Sequence, residues 1–298
     1  MKLKKRLRKS VWGLGMVLVF IQSVIVESTF AQSGTSQYTA FTDNHSGLPF
    51  IKNFDPKEYL HLTSSYEHTA IIQDSNGRML IGSHGGILVY NGSNWQFIKV
   101  PGKSIVWALD RDATGRIFVG ATDNLGYLAT DAEGQTRFVS LLSYLPKDMP
   151  PLGEVWSSIV TPEGVYFKTN QYLLRWHDNR FKAWKAETAI GYISWLNGKL
   201  LVQFYDKGLF ELQGDKLKRF STDDFFVRNS ISFIHPLRSN KWLMGINNSS
   251  LYLYDGHSAT PIKSPAQTYL KENILFTSKL LPNGDIALAT LKGGVIII

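Results

Sequence analysis

The 298-residue sequence contains no cysteine, so it has neither a disulfide framework nor the cysteine that a lipoprotein anchor requires. It also lacks the motifs of P-loop and dinucleotide binding, of zinc metalloproteases and of the α/β-hydrolase nucleophile. Beyond residue 31, no stretch shows a sustained apolar repeat of 3.6 residues with caps at both ends. These absences indicate an all-β protein without a recognisable catalytic motif.

The basic excess is concentrated at the N-terminus. The formal net charge at pH 7 is +8, of which residues 1–31 carry +5, so the remainder carries only +3. The densest later cluster, Lys216, Lys218 and Arg219, adjoins a predicted hairpin turn, where a solvated surface is the expected role. We therefore expect no nucleic-acid partner.

Residues 1–31 have the organisation of a secretory signal peptide. A basic head precedes a largely apolar run of 16 residues, Val11 to Val26, and Thr29-Phe30-Ala31 offers a small residue at each position that a cleavage site requires. An uncleaved membrane anchor is the alternative, although the run is short for a bilayer span. We predict a periplasmic or secreted mature chain.

A turn signal recurs along the rest of the chain. Aligning its glycines, with an asparagine in one gap, gives intervals of 34 to 49 residues with a mean of about 41, which is typical of four-stranded propeller blades. The aligned positions are Gly77, Gly115, Gly164, Gly198, Asn240 and Gly284. The sequence therefore predicts a repeat protein.

Each repeat contains short runs of β-branched and aromatic residues separated by Gly, Asn and Asp, which is the pattern of a strand meander. The position five residues after each turn is held mainly by small residues, which would let neighbouring strands approach closely. The residues at this position are Gly82, Gly120, Thr169, Gln203, Gly245 and Ala289. We predict an all-β propeller with about six four-stranded blades and an incomplete ring. The predicted blades lie near 69–100, 104–140, 154–185, 190–221, 230–263 and 273–298.

Two segments lie outside this repeat. Residues 32–68 form an N-terminal extension in which Pro49 and Pro56 forbid a long central strand, although part of it could supply a ring-closing strand. Residues 140–154 contain three prolines and are predicted to form a loop between blades two and three. This loop either borders a binding surface or, as we favour, is a plain connection.

The repeats resemble a known family. The segments "FDPKEY", "IIQDSNGRMLIGSHGGILVYNGSNW", "ALDRDATGRIFVGATDNLGYL", "VWSSIVTPEGVYF", "KGLFELQGDKLKRF" and "LPNGDIALATLKGGVIII" are similar to the periplasmic sensor region of two-component regulator propeller proteins that carry a triple-tyrosine module. The resemblance implies a signal-sensing ectodomain followed by that module, a transmembrane helix and an output domain. The output would be a histidine kinase or a helix-turn-helix DNA-binding domain, in an inner-membrane protein that is a candidate homodimer.

The sequence departs from that plan at its C-terminus. It stops at Ile298, within the third strand of the sixth unit, before any triple-tyrosine module, second membrane span or output domain. We therefore expect a truncated or fragmentary ectodomain that keeps the sensing role and lacks the output activity, with the leader or a missing C-terminal span as its only membrane attachment.

Catalytic and metal sites are weakly indicated. Asp110, Asp112 and Gly115 resemble the opening of a calcium loop, but no glutamate follows at the required spacing, so a hairpin turn is favoured. His84 beside a glycine turn could act as a general base, although an exposed turn residue is the simpler interpretation. We expect no cofactor and no metal.

Aromatic residues recur near the first strand of successive units. One interpretation is a ring of stacking surfaces for sugar rings or another flat ligand, and the other is that these side chains fill the space between blades. Repetition favours packing, because a core position recurs once per blade. The residues are Trp107, Trp156, Trp195, Phe233 and Phe276, and the first three, with His84, are the candidate ligand-binding residues.

Two functions remain open. The first is extracytoplasmic sensing of a small ligand, for which an oligosaccharide is the reasonable guess. The second is a secreted propeller lyase or hydrolase that uses His84 or His177 with a nearby carboxylate.

Overall fold

The computed structural model describes residues 53–63, 65–102 and 104–298, which form six antiparallel sheets in succession. Blade one comprises β1 (His68–Gln73), β2 (Met79–Ser83), β3 (Gly86–Tyr90) and β4 (Trp95–Lys99). Blade two comprises β5 (Val106–Arg111), β6 (Ile117–Ala121), β7 (Asn124–Thr130) and β8 (Thr136–Ser140). Blade three comprises β9 (Ser157–Thr161), β10 (Gly164–Lys168), β11 (Tyr172–His177) and β12 (Arg180–Lys185).

The last three blades repeat this arrangement. Blade four comprises β13 (Ile190–Leu196), β14 (Lys199–Phe204), β15 (Gly208–Gln213) and β16 (Lys216–Arg219). Blade five comprises β17 (Ile231–Pro236), β18 (Trp242–Ile246), β19 (Ser250–Tyr254) and β20 (Ala259–Pro261). Blade six comprises β21 (Leu275–Leu280), β22 (Ile286–Thr290) and β23 (Gly294–Ile297).

Strands pair in chain order within every sheet, and the first strands of consecutive blades contact one another, so they are innermost around a central channel. The predicted six-bladed propeller is confirmed. Blade six has three strands among the described residues, and none of them hydrogen-bonds to blade one. The ring is therefore not closed by hydrogen bonds, as the sequence predicted.

Helices are short and lie in the connections between strands or, at Pro56–Glu58, before blade one. They are α1 (Phe225–Arg228), α2 (Pro265–Asn273) and 3₁₀ turns at Pro56–Glu58, Leu142–Tyr144 and Arg238–Asn240. Within the described part of the chain, none of them combines the length and apolar character needed to cross a membrane. The predicted signal peptide lies outside the described residues.

Aspartates shape the turns between first and second strands. Asp112 Oδ1 accepts hydrogen bonds from the backbone N–H groups of Thr114 and Arg116, each at 2.9 Å. Asp74 Oδ1 accepts the equivalent bonds in blade one. Because the Asp112 carboxylate is used to hold the turn, the structure supports a hairpin at this position rather than a calcium loop.

Apolar side chains fill the wedge between each pair of neighbouring blades. Between blades one and two, for example, Leu80 and Val89 pack against Val106 and Val119, all with 2% or less of their surface exposed. Four further clusters occupy the next interfaces in order. Each blade thus hides its apolar faces only with the help of its neighbours.

Segments between blades contribute to the same wedges. In the 141–155 loop, Leu141, Leu152 and Val155 are buried between blades two and three, which supports the connecting role favoured above. Phe226 of α1 and Leu270 of α2 take similar places between later blades. These segments are therefore part of the core.

The described part of the N-terminal extension packs on the outer face of blade one, which is the face turned away from blade two. Tyr59 is 3% exposed, and its ring centroid lies 5.0 Å from that of Trp95. The ring centroid of Phe54 lies 5.2 Å from that of the same tryptophan. Residues 32–52 lie outside the described residues, so the ring-closing strand stays a prediction.

Close approach between blades explains two glycines. A Cβ atom at Gly120 would lie 2.9 Å from the carbonyl oxygen of Val155, just before blade three, and one at Gly82 would lie 2.8 Å from that of Val106 in blade two. Strand pairing corrects the predicted position in blade three. Ser157 pairs with Lys168 as Ala108 pairs with Gly120, so Lys168, not Thr169, is the equivalent residue.

We predict that Gly120→Val lowers the free energy of unfolding by about 3 kcal/mol, because its side chain would collide with the backbone just before blade three. Ala289→Val is the matched control, since the structure describes no later blade to collide with there. Urea denaturation measures both. Equal losses for the two variants would contradict the close-approach explanation.

Candidate functional site

The innermost strands share an irregularity near their first residues. In five blades one extra residue interrupts the pairing with the second strand, and in blade three Trp156 takes the same place immediately before β9. We call these six positions the channel mouth: Thr69, Trp107, Trp156, Gly191, Ser232 and Phe276. All six lie on the face of the propeller where first strands begin.

Two adjacent blades place tryptophans at the channel mouth. The ring centroids of Trp107 and Trp156 are 4.6 Å apart with an angle of 46° between the rings. Trp107 is half-buried, and its Nε1–H donates a 2.9 Å hydrogen bond to Thr122 Oγ1. Trp156 leaves 39% of its surface exposed. The pair is thus anchored on one side and open to solvent on the other.

The other predicted aromatics do not complete a ring of equivalent surfaces. Phe276 is at the channel mouth and is 61% exposed. Phe233 lies one position further along its strand and is 4% exposed, so it is a core residue. Trp195 is half-buried at the other end of its strand, beside the hairpin turn. Only Trp107, Trp156 and Phe276 share one position.

His84 lies on the same face as the channel mouth. It follows β2 directly, forms a bridge with Ile105 and places Nε2 3.2 Å from Glu67 Oε2. A shallow groove of about 500 Å³ runs beside it, lined in part by Phe97 and Pro101. A histidine with an adjacent carboxylate is the minimum for acid–base chemistry.

His177 is less suited to chemistry. Its Nε2 lies 3.3 Å from Oδ2 of the neighbouring Asp178, and both side chains are more than half exposed at the outer hairpin of blade three. This position is far from the innermost strands, so the structure does not join His177 to His84 in one site.

Deeper in the channel, Asp110 links two blades. Its Oδ2 accepts a 2.7 Å hydrogen bond from the backbone N–H of Val160 in blade three, and Oδ1 accepts one from Arg111. Burial raises the pKa of Asp110, although both hydrogen bonds and the positive charge of Lys279 oppose that shift. The carboxylate is therefore used to bridge blades two and three.

His235 links blades five and six at a similar depth. Its Nε2 lies 2.8 Å from Ser278 Oγ. Burial, followed by the positive charge of Lys279, lowers the pKa of His235, so the imidazole is neutral at pH 7. The channel lining thus combines a carboxylate, a neutral imidazole and an ammonium contributed by three blades.

Lys168 is the functional candidate that sequence reasoning missed. The first turn of blade three is shorter than that of blade two, with Thr161 paired to Gly164, so counting five residues from the turn glycine reached Thr169. Aligning the paired strands instead would have placed a lysine where three other blades have glycine. Lys168 is only 7% exposed.

The surroundings of Lys168 are poor in partners. Its Nζ donates one hydrogen bond, 3.0 Å long, to the carbonyl oxygen of Gly191 at the channel mouth. Among the described residues, no carboxylate lies within ion-pair distance of it. Burial alone lowers its pKa to about 8. A buried ammonium with one acceptor is a feature more often found at sites than in structural cores.

Within the described ranges, no three histidine, aspartate or glutamate side chains converge closely enough to hold a metal ion. The site residues identified so far are therefore the tryptophan pair, His84 with Glu67, and Lys168. Their chemistry suits stacking, proton exchange and the binding of an anion.

Comparison with known proteins supports the fold. No protein-family model and no curated protein sequence matches the chain. Among solved structures, the extracellular domain assigned to a hybrid two-component system of B. thetaiotaomicron matches with a TM-score of 0.59 at 14% identity, covering 78% of this chain and 33% of that one. The virginiamycin B lyase of Staphylococcus aureus matches at 0.57 and 11%, covering 78% and 83%.

A third similar structure is the WD40 propeller domain of Doa1, with a TM-score of 0.55 at 18% identity and 75% of each chain covered. The three proteins differ in function, so at these identities the likeness establishes a β-propeller and does not choose among sensor, enzyme and interaction module.

We predict that stability depends on the Lys168 charge. Because its folded pKa of about 8 lies below its ordinary value of 10.5, the unfolded chain binds a proton between these values that the folded chain has released. Unfolding free energy of the wild type should therefore rise by up to about 3 kcal/mol, relative to Lys168→Gln, as the pH increases from 8 to 10.5. Denaturation at several pH values measures both proteins, and parallel curves would contradict the prediction.

Proposed function

We propose that this chain is an extracytoplasmic ligand-binding module of a two-component-type regulator. Its ligand would be a small molecule with a flat ring, such as one sugar of an oligosaccharide, bound at the channel mouth. The observation that carries the proposal is the tryptophan pair, in which Trp107 is fixed by Thr122 and Trp156 keeps 39% of its surface in solvent.

Stacking explains why such a pair suits a ring-shaped ligand. An indole face offers a large apolar surface at little conformational cost, and its partner holds it in place before binding. The contact between the rings also contributes to packing between blades two and three. The two interpretations from the sequence are therefore compatible at this position, because one face of Trp156 can pack while the other binds.

The cellular setting is part of the proposal. The secretory leader predicted from the sequence, the resemblance to periplasmic sensor propellers and the likeness to an extracellular two-component domain all support an extracytoplasmic location. The triple-tyrosine module, membrane span, homodimer and output domain of the intact regulator rest on the sequence resemblance. The part of the function assigned to this chain is ligand binding.

A secreted lyase or hydrolase is the second candidate function. It is favoured by the contact between His84 and Glu67 and by the likeness to virginiamycin B lyase. Against it, Glu67 is 79% exposed at its side chain, and the adjoining groove offers as further polar side chains Lys99 and Thr63, whose hydroxyl donates to the His84 carbonyl oxygen. A binding role requires fewer functional groups than catalysis does. The geometry around His84 and Glu67 does not supply the additional groups that catalysis needs.

We predict that Trp156→Ala reduces affinity for its oligosaccharide about fivefold or more, because stacking on an aromatic face contributes about 1 to 3 kcal/mol. Unfolding free energy should fall by about 1 to 3 kcal/mol, since Trp156 is 39% exposed but its ring also packs on Trp107. A panel of neutral and acidic oligosaccharides, tested by calorimetry, identifies the ligand.

Tyr144→Ala is the matched control for that variant. Tyr144 is 51% exposed and contacts another aromatic ring, that of Trp176, but lies away from the channel mouth. It should bind the ligand like the wild type. Loss of binding in both variants, or in neither, would overturn the assignment of the ligand to the tryptophan pair.

His84→Ala separates the binding and enzyme proposals. If the chain is a binding module, we expect the wild type to leave the bound oligosaccharide unchanged, as followed by mass spectrometry. Conversion of the ligand by the wild type and not by the variant would favour the enzyme.

A further inference from the structure

Lys168 breaks the regularity of the propeller. The equivalent positions in the other blades are occupied by Gly82, Gly120, Gln203, Gly245 and Ala289. A position used only for packing would recur with similar residues, whereas a binding position breaks the symmetry of the repeat. Lys168 is the one basic residue of the set.

Gln203 shows what a purely structural polar side chain does at this position. Its Nε2 donates to the carbonyl oxygens of Phe226 and Asn229, and its Oε1 accepts from Ile231 N–H, at 2.6 to 2.9 Å. Every contact joins blade four to the segment that begins blade five. The glutamine is thus a satisfied link between blades.

Lys168 is satisfied much less well. An ammonium has three N–H donors, and the described residues give it one acceptor, the Gly191 carbonyl oxygen at 3.0 Å. The titratable side chains on neighbouring elements include Tyr172 on β11, Tyr192 on β13, Tyr205 after β14 and Glu154 just before Trp156, while Glu187 in the loop before β13 is paired with Lys207. No anion of the described residues balances the charge, which makes its burial costly.

The location of Lys168 joins it to the tryptophan pair. Its hydrogen-bond acceptor Gly191 is itself a channel-mouth residue. Its strand partner Ser157 directly follows Trp156 in the chain. The ammonium therefore lies at the rim of the mouth, between the exposed tryptophan of blade three and the start of blade four.

We propose that Lys168 binds the carboxylate of an acidic ring-shaped ligand, such as a uronic acid residue of an oligosaccharide, whose ring stacks on Trp156. This inference rests on the proposed function and adds the charge of the ligand. A carboxylate would provide acceptors for the remaining N–H donors and would neutralise a charge that the protein leaves uncompensated.

The experiment compares uronate oligosaccharides with their carboxyl-reduced counterparts, in which only the acidic group is replaced by an alcohol. Calorimetry at pH 6.5 and pH 9.5 measures the affinity of the wild type and of Lys168→Gln. Glutamine is chosen because Gln203 demonstrates that the fold accepts it at this position. Lys168→Met is the second variant if the first does not fold.

In the wild type at pH 6.5, we expect at least one uronate oligosaccharide to bind ten or more times as tightly as its reduced counterpart. This preference should shrink at pH 9.5, above the Lys168 pKa of about 8, and disappear in Lys168→Gln at both pH values. Burial raises the pKa of Tyr192 above its ordinary value, so its ionisation does not supply the change.

Lys279→Gln is the matched charge control. It removes one positive charge from the channel lining away from the mouth, so the preference for the acidic ligand should persist if Lys168 acts by direct contact. Equal loss in the two variants would show a general effect of net charge and overturn the proposal.

The remaining outcomes separate this proposal from the broader one. If reduced and acidic oligosaccharides bind equally well and Trp156→Ala abolishes both, Lys168 is a link between blades and only the proposed sugar-binding function survives. If neither kind binds to the wild type, both proposals fail.

Discussion

The structure depends on apolar contact between neighbouring blades. Each sheet is apolar on both faces, so a blade without neighbours would expose both faces to water. The buried apolar clusters lie between sheets, where the faces of neighbouring blades meet. This constraint explains why short helices and loops carry buried residues such as Phe226 and Leu270, and why Tyr59 covers the outer face of blade one. The connections between blades are structural parts of the wedge.

Polar contacts near the propeller axis fix how neighbouring blades are aligned, in addition to this apolar packing. Asp110 accepts a hydrogen bond from the backbone N–H of Val160, His235 contacts Ser278, and Gln203 bonds three backbone groups of the segment that leads into blade five. The innermost strand of each blade has one edge that pairs with no other strand. Side chains from the preceding blade form hydrogen bonds with some of the backbone groups on that edge. This requirement explains Asp110 and the one hydrogen bond of Lys168, to the carbonyl oxygen of Gly191, but the other two N–H donors of Lys168 have no acceptor among the described residues.

The candidate site follows from the same geometry. Irregular pairing at the start of the innermost strands gathers residues from all blades around one opening, and blades two and three place Trp107 and Trp156 there in contact. The exposed Trp156 indole, one residue from the strand partner of the buried Lys168, would combine stacking with charge recognition. Function is thus proposed for the part of the repeat where the blades differ, whereas the shared positions maintain the ring.

The sequence by itself determined the repeat, the all-β class, the number of blades and the turns, because glycine, asparagine and aspartate mark positive φ and side-chain-capped hairpins locally. It also identified the residues of the tryptophan pair. Only the tertiary structure decided which aromatics meet: Trp107 and Trp156 share the mouth, while Trp195 faces the other end and Phe233 is core. Lys168 was missed for the same reason, because strand register is fixed by pairing with a neighbour, and a turn shorter by one residue shifts every count that starts from it.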